Sequence, residues 1–181
     1  MDAKDIFFAE QLYLDKVINM LIKEGSNLKK GKGPNLSFWV FFEHFMIEFV
    51  DKHHMEKEQH ILKMLLKKKL KENQIKYIEG MICEHEMSRL FIGRLGEIFN
   101  NNFGNNNKTI EGMKRTAVFF KKKYKDPSKA KKVKLYDYIQ EYFDDKDRIE
   151  FRDMFLKYNE QMDYMGYAKT ILKLEKNYSK E

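Results

Sequence analysis

The chain has 181 residues and is 43% hydrophobic, which favours one domain over residues 1–181 with a sizeable core. Its single cysteine, Cys83, excludes an internal disulfide framework and a two-thiol redox site, and it fits a reducing compartment. Without a signal pattern or an apolar stretch that could span a membrane, we expect a cytoplasmic protein with no membrane partner. The net charge of +7 is mostly lysine, and the scarcity of arginine disfavours nucleic acid as a partner.

The first half of the chain predicts two helices. Apolar residues recur at helical spacing, and no segment alternates as a strand does, so we expect an all-α fold. The first helix is predicted over residues 4–24 and ends at Gly25 and Ser26. Asn35 is the predicted N-cap of a second, very long helix that reaches about residue 71. The inner stripe of the first helix is predicted to consist of Phe7, Leu14, Ile18 and Leu21.

The second half predicts further helices and two interruptions. A third helix is expected over about 73–100, followed by a loop at Asn100–Asn107 and a fourth helix from about Thr109. Asp126 and Pro127 interrupt that helix, and a fresh one runs to about Phe143. Asp144 and Asp145 then cap a final helix to about Asn177. We therefore predict an antiparallel four-helix bundle with an additional C-terminal helix.

His54 and Glu58 form the most informative pair of the sequence. They lie four residues apart, so both face the same side of the second helix, where Val50 and Ile61 indicate the core. A buried carboxylate is costly unless it is paired or binds a metal ion. His85 is the best candidate for a third ligand because it lies on the inner face of the third helix. The alternative is a hydrogen-bonded core histidine together with an ion pair between Glu58 and Arg89 or a lysine.

The other polar residues of these helices suggest weaker functional candidates. His53 is expected either to support a ligand through a hydrogen bond or, as the favoured alternative, simply to pack in the core. His44 is expected to be partly buried and His60 to be solvated. Gln11 lies on the inner stripe of the first helix, where it is a weak ligand, a hydrogen-bond partner of a ligand or a plain core residue. Phosphate-binding, zinc-protease and nucleophile-elbow motifs do not occur, so the sequence favours a protein that is not an enzyme.

Two segments give the chain a family resemblance. Phe49–Glu58 is similar to the second-helix segment F-x-D-x-x-H-H-x-x-E-E of the hemerythrin-like family, also called HHE cation-binding domains. Glu84–Arg89 is similar to the third-helix segment E-H-E-x-x-R of that family. The two segments occur in the family's order and at a separation suited to an antiparallel helical hairpin. Weaker similarity extends over most of the chain.

The resemblance implies a non-haem iron centre inside a four-helix bundle. His54, Glu58 and His85 would be metal ligands, and the protein would bind or sense dioxygen, nitric oxide or iron. The chain departs from the family pattern in two places. The first-helix histidine falls on Gln11, and no histidine follows His85. The fourth-helix ligands fall on Pro127 and Lys131, or on Asp137 and Glu141 in a shifted alignment.

These departures leave three hypotheses open. The first is a centre with one or two iron ions and few ligands. The second is a metal-free helical bundle that has lost the centre and binds a protein or a small ligand. The third is an unusual iron site that Tyr136 or Tyr138 completes.

Overall fold

The computed structural model describes the backbone of residues 3–100, 107–124 and 128–178, with side chains at 9–97, 107–124 and 134–178. Within these ranges the chain is all helical and contains no strand, as the hydrophobic periodicity predicts. No helix in them combines the length and apolar character that a membrane crossing needs. The helices are α1 (Ala3–Lys29), α2 (Leu36–His44), a π-helix (Phe45–Met55), α3 (Glu56–Leu66), α4 (Glu72–Asn100), α5 (Asn107–Tyr124), α6 (Ser128–Tyr142), α7 (Asp145–Glu160) and α8 (Tyr164–Tyr178).

The first helix is longer than predicted. It continues through Gly25 and Ser26 to Lys29, and the chain turns at Gly31, whose φ of +78° is a left-handed conformation that favours glycine. Gly25 has a packing role instead. A Cβ atom at this position would lie 2.6 Å from the Cβ of Ala117 in α5. The predicted stop at Gly25 is therefore wrong, because this glycine lets two helices approach closely.

Because of this close approach, replacing Gly25 by alanine should destabilise the fold, whereas the same substitution within a helix usually stabilises it. We expect Gly25→Ala to lower the free energy of unfolding by about 1–3 kcal/mol, because the new methyl group overpacks the contact with Ala117. Gly80→Ala is the matched control: it lies within α4 and has open space around its Cα, so it should be neutral or stabilise the fold by up to about 1 kcal/mol. Urea unfolding measures both. The double variant Gly25→Ala/Ala117→Gly should recover stability, and equal stability of the two alanine variants would contradict the assignment.

The second predicted helix is divided in three. Asn35 is its N-cap, as predicted, and its side chain accepts a hydrogen bond from the backbone N–H of Phe38. The prediction of one uninterrupted helix to residue 71 is wrong, because the π-helix occupies Phe45–Met55 and α3 ends at Leu66. Hydrogen bonds of a π-helix reach five residues back, a change that a 3.6-residue apolar pattern does not reveal.

The C-terminal half agrees with most predicted boundaries. α4 and α5 begin within two residues of their expected positions, and Asp144 caps α7 in a capping box with Asp147. The predicted single final helix is wrong, since it divides at residues 161–163 into α7 and α8. The carboxylate of Asp163, just before α8, accepts a hydrogen bond from the backbone N–H of Gly166 in its first turn. The interior of the predicted asparagine-rich loop (101–106), Asp126, Pro127 and the side chain of Phe7 lie outside the described residues.

The hydrophobic core consists of two clusters with a polar layer between them. The first cluster joins α1, α2 and the π-helix to α5, α8 and the C-terminal part of α4. The second joins α3 and the N-terminal part of α4 to α6 and α7. Between the two clusters, buried polar residues face one another from several helices. The layer contains Glu10, His53, His54, Lys57, Glu58, His85 and Ser88.

Candidate metal centre

Four buried side chains from α1, the π-helix, α3 and α4 form one continuous series of polar contacts. Glu10 Oε2 lies 2.7 Å from His54 Nδ1. On the other side of the same imidazole, His54 Nε2 lies 3.6 Å from Glu58 Oε1. Glu58 Oε2 in turn lies 3.0 Å from His85 Nε2. The three residues singled out in the sequence, His54, Glu58 and His85, are therefore brought together in the polar layer.

Glu10 carries the negative charge at the first position of this series of contacts. Its side chain is 0% exposed, and burial alone would raise the pKa of its carboxyl group. Hydrogen bonds from His53 and His54, together with the positive charges of His54 and Lys57, outweigh burial and hold the pKa well below its usual 4.5. Glu10 is therefore a carboxylate, and it accepts the proton of His54 Nδ1.

This hydrogen bond determines which nitrogen of His54 can act as a ligand. In a neutral imidazole with its proton on Nδ1, the electron pair is on Nε2, the nitrogen that faces Glu58. A carboxylate that orients a histidine through its far nitrogen is the usual partner arrangement of metal-binding histidines. Glu10 is thus positioned to orient His54 toward the Glu58 carboxylate.

His85 is held less completely than an ordinary core histidine. Its Nε2 contacts Glu58, whereas its Nδ1 is buried without a hydrogen-bond partner among the described residues. A histidine that serves only to stabilise a core normally has both ring nitrogens satisfied. Among the described residues, Glu58 is therefore the hydrogen-bond partner of the His85 imidazole.

The other oxygen of Glu10 belongs to a second group of polar side chains. Lys57 Nζ contacts Glu10 Oε1 and lies 2.8 Å from His53 Nε2. Tyr164, the first residue of α8, donates its hydroxyl proton to Glu10 Oε1 at 2.5 Å. Burial and the adjacent Glu10 charge raise the pKa of Tyr164, so it remains a neutral donor. One carboxylate thus joins two neighbouring histidines, a lysine and a tyrosine.

An ion pair between Glu58 and Arg89, one of the alternatives to a metal site, is not formed among the described residues. The guanidinium group of Arg89 instead bonds Asp51, Glu56 and Gln59 on the outer side of the π-helix and α3. Glu58 is directed inward, toward the two imidazoles. The alternative explanation of Glu58 as half of a simple arginine pair is therefore excluded.

Residues outside the motif differ from their expected roles. Gln11 is buried but bonds Asp15, so the neighbouring Glu10 is the α1 residue that reaches the layer. His44 is exposed rather than partly buried. Asp137 and Glu141 are exposed, which removes them as fourth-helix ligands, and Pro127 and the side chain of Lys131 lie outside the described part. Tyr136 and Tyr138 belong to the second hydrophobic cluster.

The candidate centre is separate from the surface cavity near α8. This open cavity, of about 470 Å³, lies between the α2–π-helix junction and the turn before α8. None of the polar-layer side chains lines it. Its lining consists of Phe41, His44, Glu48, Gln161, Met162, Asp163, Gly166, Tyr167 and Thr170.

Comparison with known proteins gives no relative: no family model, no curated protein and no solved structure matches the chain.

The chemistry of His54, Glu58 and His85 shows which metal ions these residues suit. Two imidazoles and one carboxylate suit iron or zinc. Within the described residues, however, no three His, Cys, Asp or Glu side chains are already arranged as a metal site. The ligand chemistry fits a metal ion, and the ion would take the place of the direct contact between His85 Nε2 and Glu58 Oε2.

Proposed function

We propose that the chain is a hemerythrin-like, non-haem iron-binding protein in which His54, Glu58 and His85 hold a single iron ion. The observation that carries the proposal is the buried Glu58 carboxylate with an imidazole beside each of its oxygens. Ligands about 2.1 Å from one ion are about 3 Å apart, which is close to both carboxylate–imidazole distances. Iron at this position would supply redox chemistry and affinity for a diatomic ligand such as dioxygen or nitric oxide.

The charges of the polar layer support one cation at Glu58. Lys57 contacts Glu10 and so offsets the charge of that carboxylate. Glu58, by contrast, has a histidine nitrogen near each of its carboxylate oxygens. Ligand groups must be deprotonated to bind a metal ion, so iron would compete with protons for the same ligand atoms. We favour binding or sensing over catalysis, because no separate acid–base or nucleophile group accompanies the three ligands.

The proposed scaffold is an antiparallel four-helix bundle with additional C-terminal helices. α1, the π-helix with α3, α4 and α5 would be its four members. Contacts between α1 and α5, between α5 and α4, and between α4 and both the π-helix and α3 support this assignment. The hydrogen bonds from Glu10 to His53 and His54 would close the ring. α6, α7 and α8 would then cover its ends and sides.

The second candidate function is that of a metal-free bundle that binds a protein or a small ligand. The specific observation in its favour is the buried ion pair between Lys57 and Glu10. This pair places a positive charge in the same layer as the candidate ligands and opposes a second cation there. In this case the histidines and carboxylates would serve only to hold the helices together.

Metal content of matched histidine variants tests the proposal. Protein purified without chelator, and after anaerobic loading with ferrous iron, should contain about one iron per chain. His54→Ala and His85→Ala should lose it, whereas His44→Ala, which removes an exposed histidine outside the layer, should retain it. Elemental analysis gives the content, and circular dichroism shows whether each variant is folded. A folded wild-type chain that binds no iron in either preparation would contradict the proposal and favour the metal-free bundle.

A further inference from the structure

Lys57 is fully buried, and its ammonium group has the surroundings of a bound cation. Besides Glu10 Oε1 and His53 Nε2, the Nζ atom lies 3.3 Å from Asn159 Oδ1 and 3.5 Å from the Tyr164 hydroxyl. It also lies 4.9 Å from the centre of the Phe155 ring, a cation–π distance. We call these five residues around the ammonium the lysine cage.

The lysine cage draws its groups from four helices. Glu10 comes from α1, His53 from the π-helix, Asn159 and Phe155 from α7, and Tyr164 from α8. The cage also shares Glu10 with the candidate iron site, since one carboxylate oxygen faces Lys57 and the other faces His54. Carboxylate, amide and phenol oxygens with one imidazole nitrogen are ligands that divalent metal ions accept.

We propose that Lys57 is a tethered cation: its ammonium group fills a second cation site and thereby limits the chain to one metal ion. The inference rests on the proposed iron site for the first ion. Without Lys57, Glu10 would be left as a buried carboxylate beside the imidazole of His53, an amide oxygen and a phenol. A divalent ion at the position of the ammonium would neutralise the Glu10 charge and bind the other polar atoms of the cage.

Two substitutions of Lys57 compare a lysine cage that has space for a metal ion with one that an apolar side chain fills. Lys57→Ala removes the charge and opens space for an ion, whereas Lys57→Met removes the charge but fills most of the space with an apolar chain. Both variants lose the ion pair with Glu10 and should be less stable than the wild type. Only Lys57→Ala should regain thermal stability when ferrous iron is added, because only it can bind the ion in the folded state. It should hold about two irons per chain, and the wild type and Lys57→Met about one.

The outcomes separate this inference from the proposed function. One iron in the wild type and one in folded Lys57→Ala would overturn the tethered-cation role and leave the iron site intact. No iron in the wild type but one in Lys57→Ala, lost again in Glu10→Gln/Lys57→Ala, would support the cage and overturn the proposed function. Two irons in the wild type would overturn the inference whatever the variants do. If Lys57→Ala does not fold without metal, refolding it with ferrous iron should restore a folded chain with about two irons, and failure to refold under these conditions would also overturn the inference.

Discussion

Replacing Glu10 by glutamine is expected to lower the free energy of unfolding by about 3–5 kcal/mol, the usual cost of removing one partner of a buried ion pair. The substitution preserves the shape of the side chain but removes its charge. It leaves the Lys57 ammonium buried without its counter-charge and weakens the hydrogen bonds from His53, His54 and Tyr164. Urea unfolding measures the loss. Since glutamate supports four groups here, this substitution should be among the most damaging single-atom changes in the chain.

The control is Glu72→Gln in α4, where the carboxylate pairs with Lys76 on an exposed surface. This exposed pair should contribute at most about 0.5 kcal/mol, so its loss should barely change stability. A cost for Glu10→Gln as small as that of the control would show that the polar layer is not held by the Glu10 charge.

The pH dependence of stability is a second measurement of the contribution of the Glu10 carboxylate. The pKa of Glu10 lies well below 4.5 in the folded chain, so its stabilising contribution is fully present above pH 4.5. The contribution is lost progressively as the pH falls below 4.5 toward the folded-state pKa. The wild type should therefore lose more stability than Glu10→Gln over this acid range, and parallel pH profiles would contradict the assignment.

Truncating Glu24 to alanine is expected to cost about 3 kcal/mol, because three buried or partly buried donors then lose a charged acceptor. Glu24 Oε1 accepts hydrogen bonds from the backbone N–H of Asn35 at 2.7 Å and from Trp39 Nε1 at 3.2 Å. Its Oε2 accepts one from the Tyr178 hydroxyl at 2.9 Å. One side chain of α1 thus fixes the start of α2 and the end of α8. Chemical unfolding followed by tryptophan fluorescence reports on this site directly through Trp39.

One milder and one larger substitution show whether the loss of the acceptor explains the cost of Glu24→Ala. Glu24→Gln keeps a carbonyl oxygen for Asn35 and Trp39 and should cost clearly less than Glu24→Ala. Trp39→Ala should be more damaging than either, by about 3–5 kcal/mol, because it also opens a cavity in the first hydrophobic cluster. Equal costs for the glutamine and alanine variants would argue that the charge, and not the number of hydrogen bonds, sets the energy.

Local signals predicted the helices well and their ends less well. Asn35 and Asp144 were identified as caps because a cap depends on a few neighbouring residues. Gly25 was misread because its role depends on Ala117, a residue of another helix that no local pattern contains. The break before α8 was missed for a similar reason: α8 packs against α1, and this distant contact favours a turn where helical periodicity continues.

The candidate site was predicted in part for the same physical reason. His54, Glu58 and His85 were found because polar groups interrupted apolar faces, and the structure brings all three into one layer. Glu10 and Lys57 were missed, since charged residues are ordinarily assigned to the solvent. Their burial depends on each other across 47 positions of sequence, and each is acceptable in the core only because the other is there. Tyr164 likewise becomes visible only once α8 is placed beside α1.

The π-helix between α2 and α3 makes this region sensitive to chain length as well as to chemistry. Each α-helical residue turns the chain by about 100°, so the loss or gain of one residue rotates everything that follows by that angle. A π-helix accommodates an additional residue per turn without breaking the helix. A deletion of one residue within Phe45–Met55 that left the rest of the segment π-helical would therefore turn Glu58 away from His85. A deletion that changes no ligand could thus remove the site as completely as the loss of a ligand.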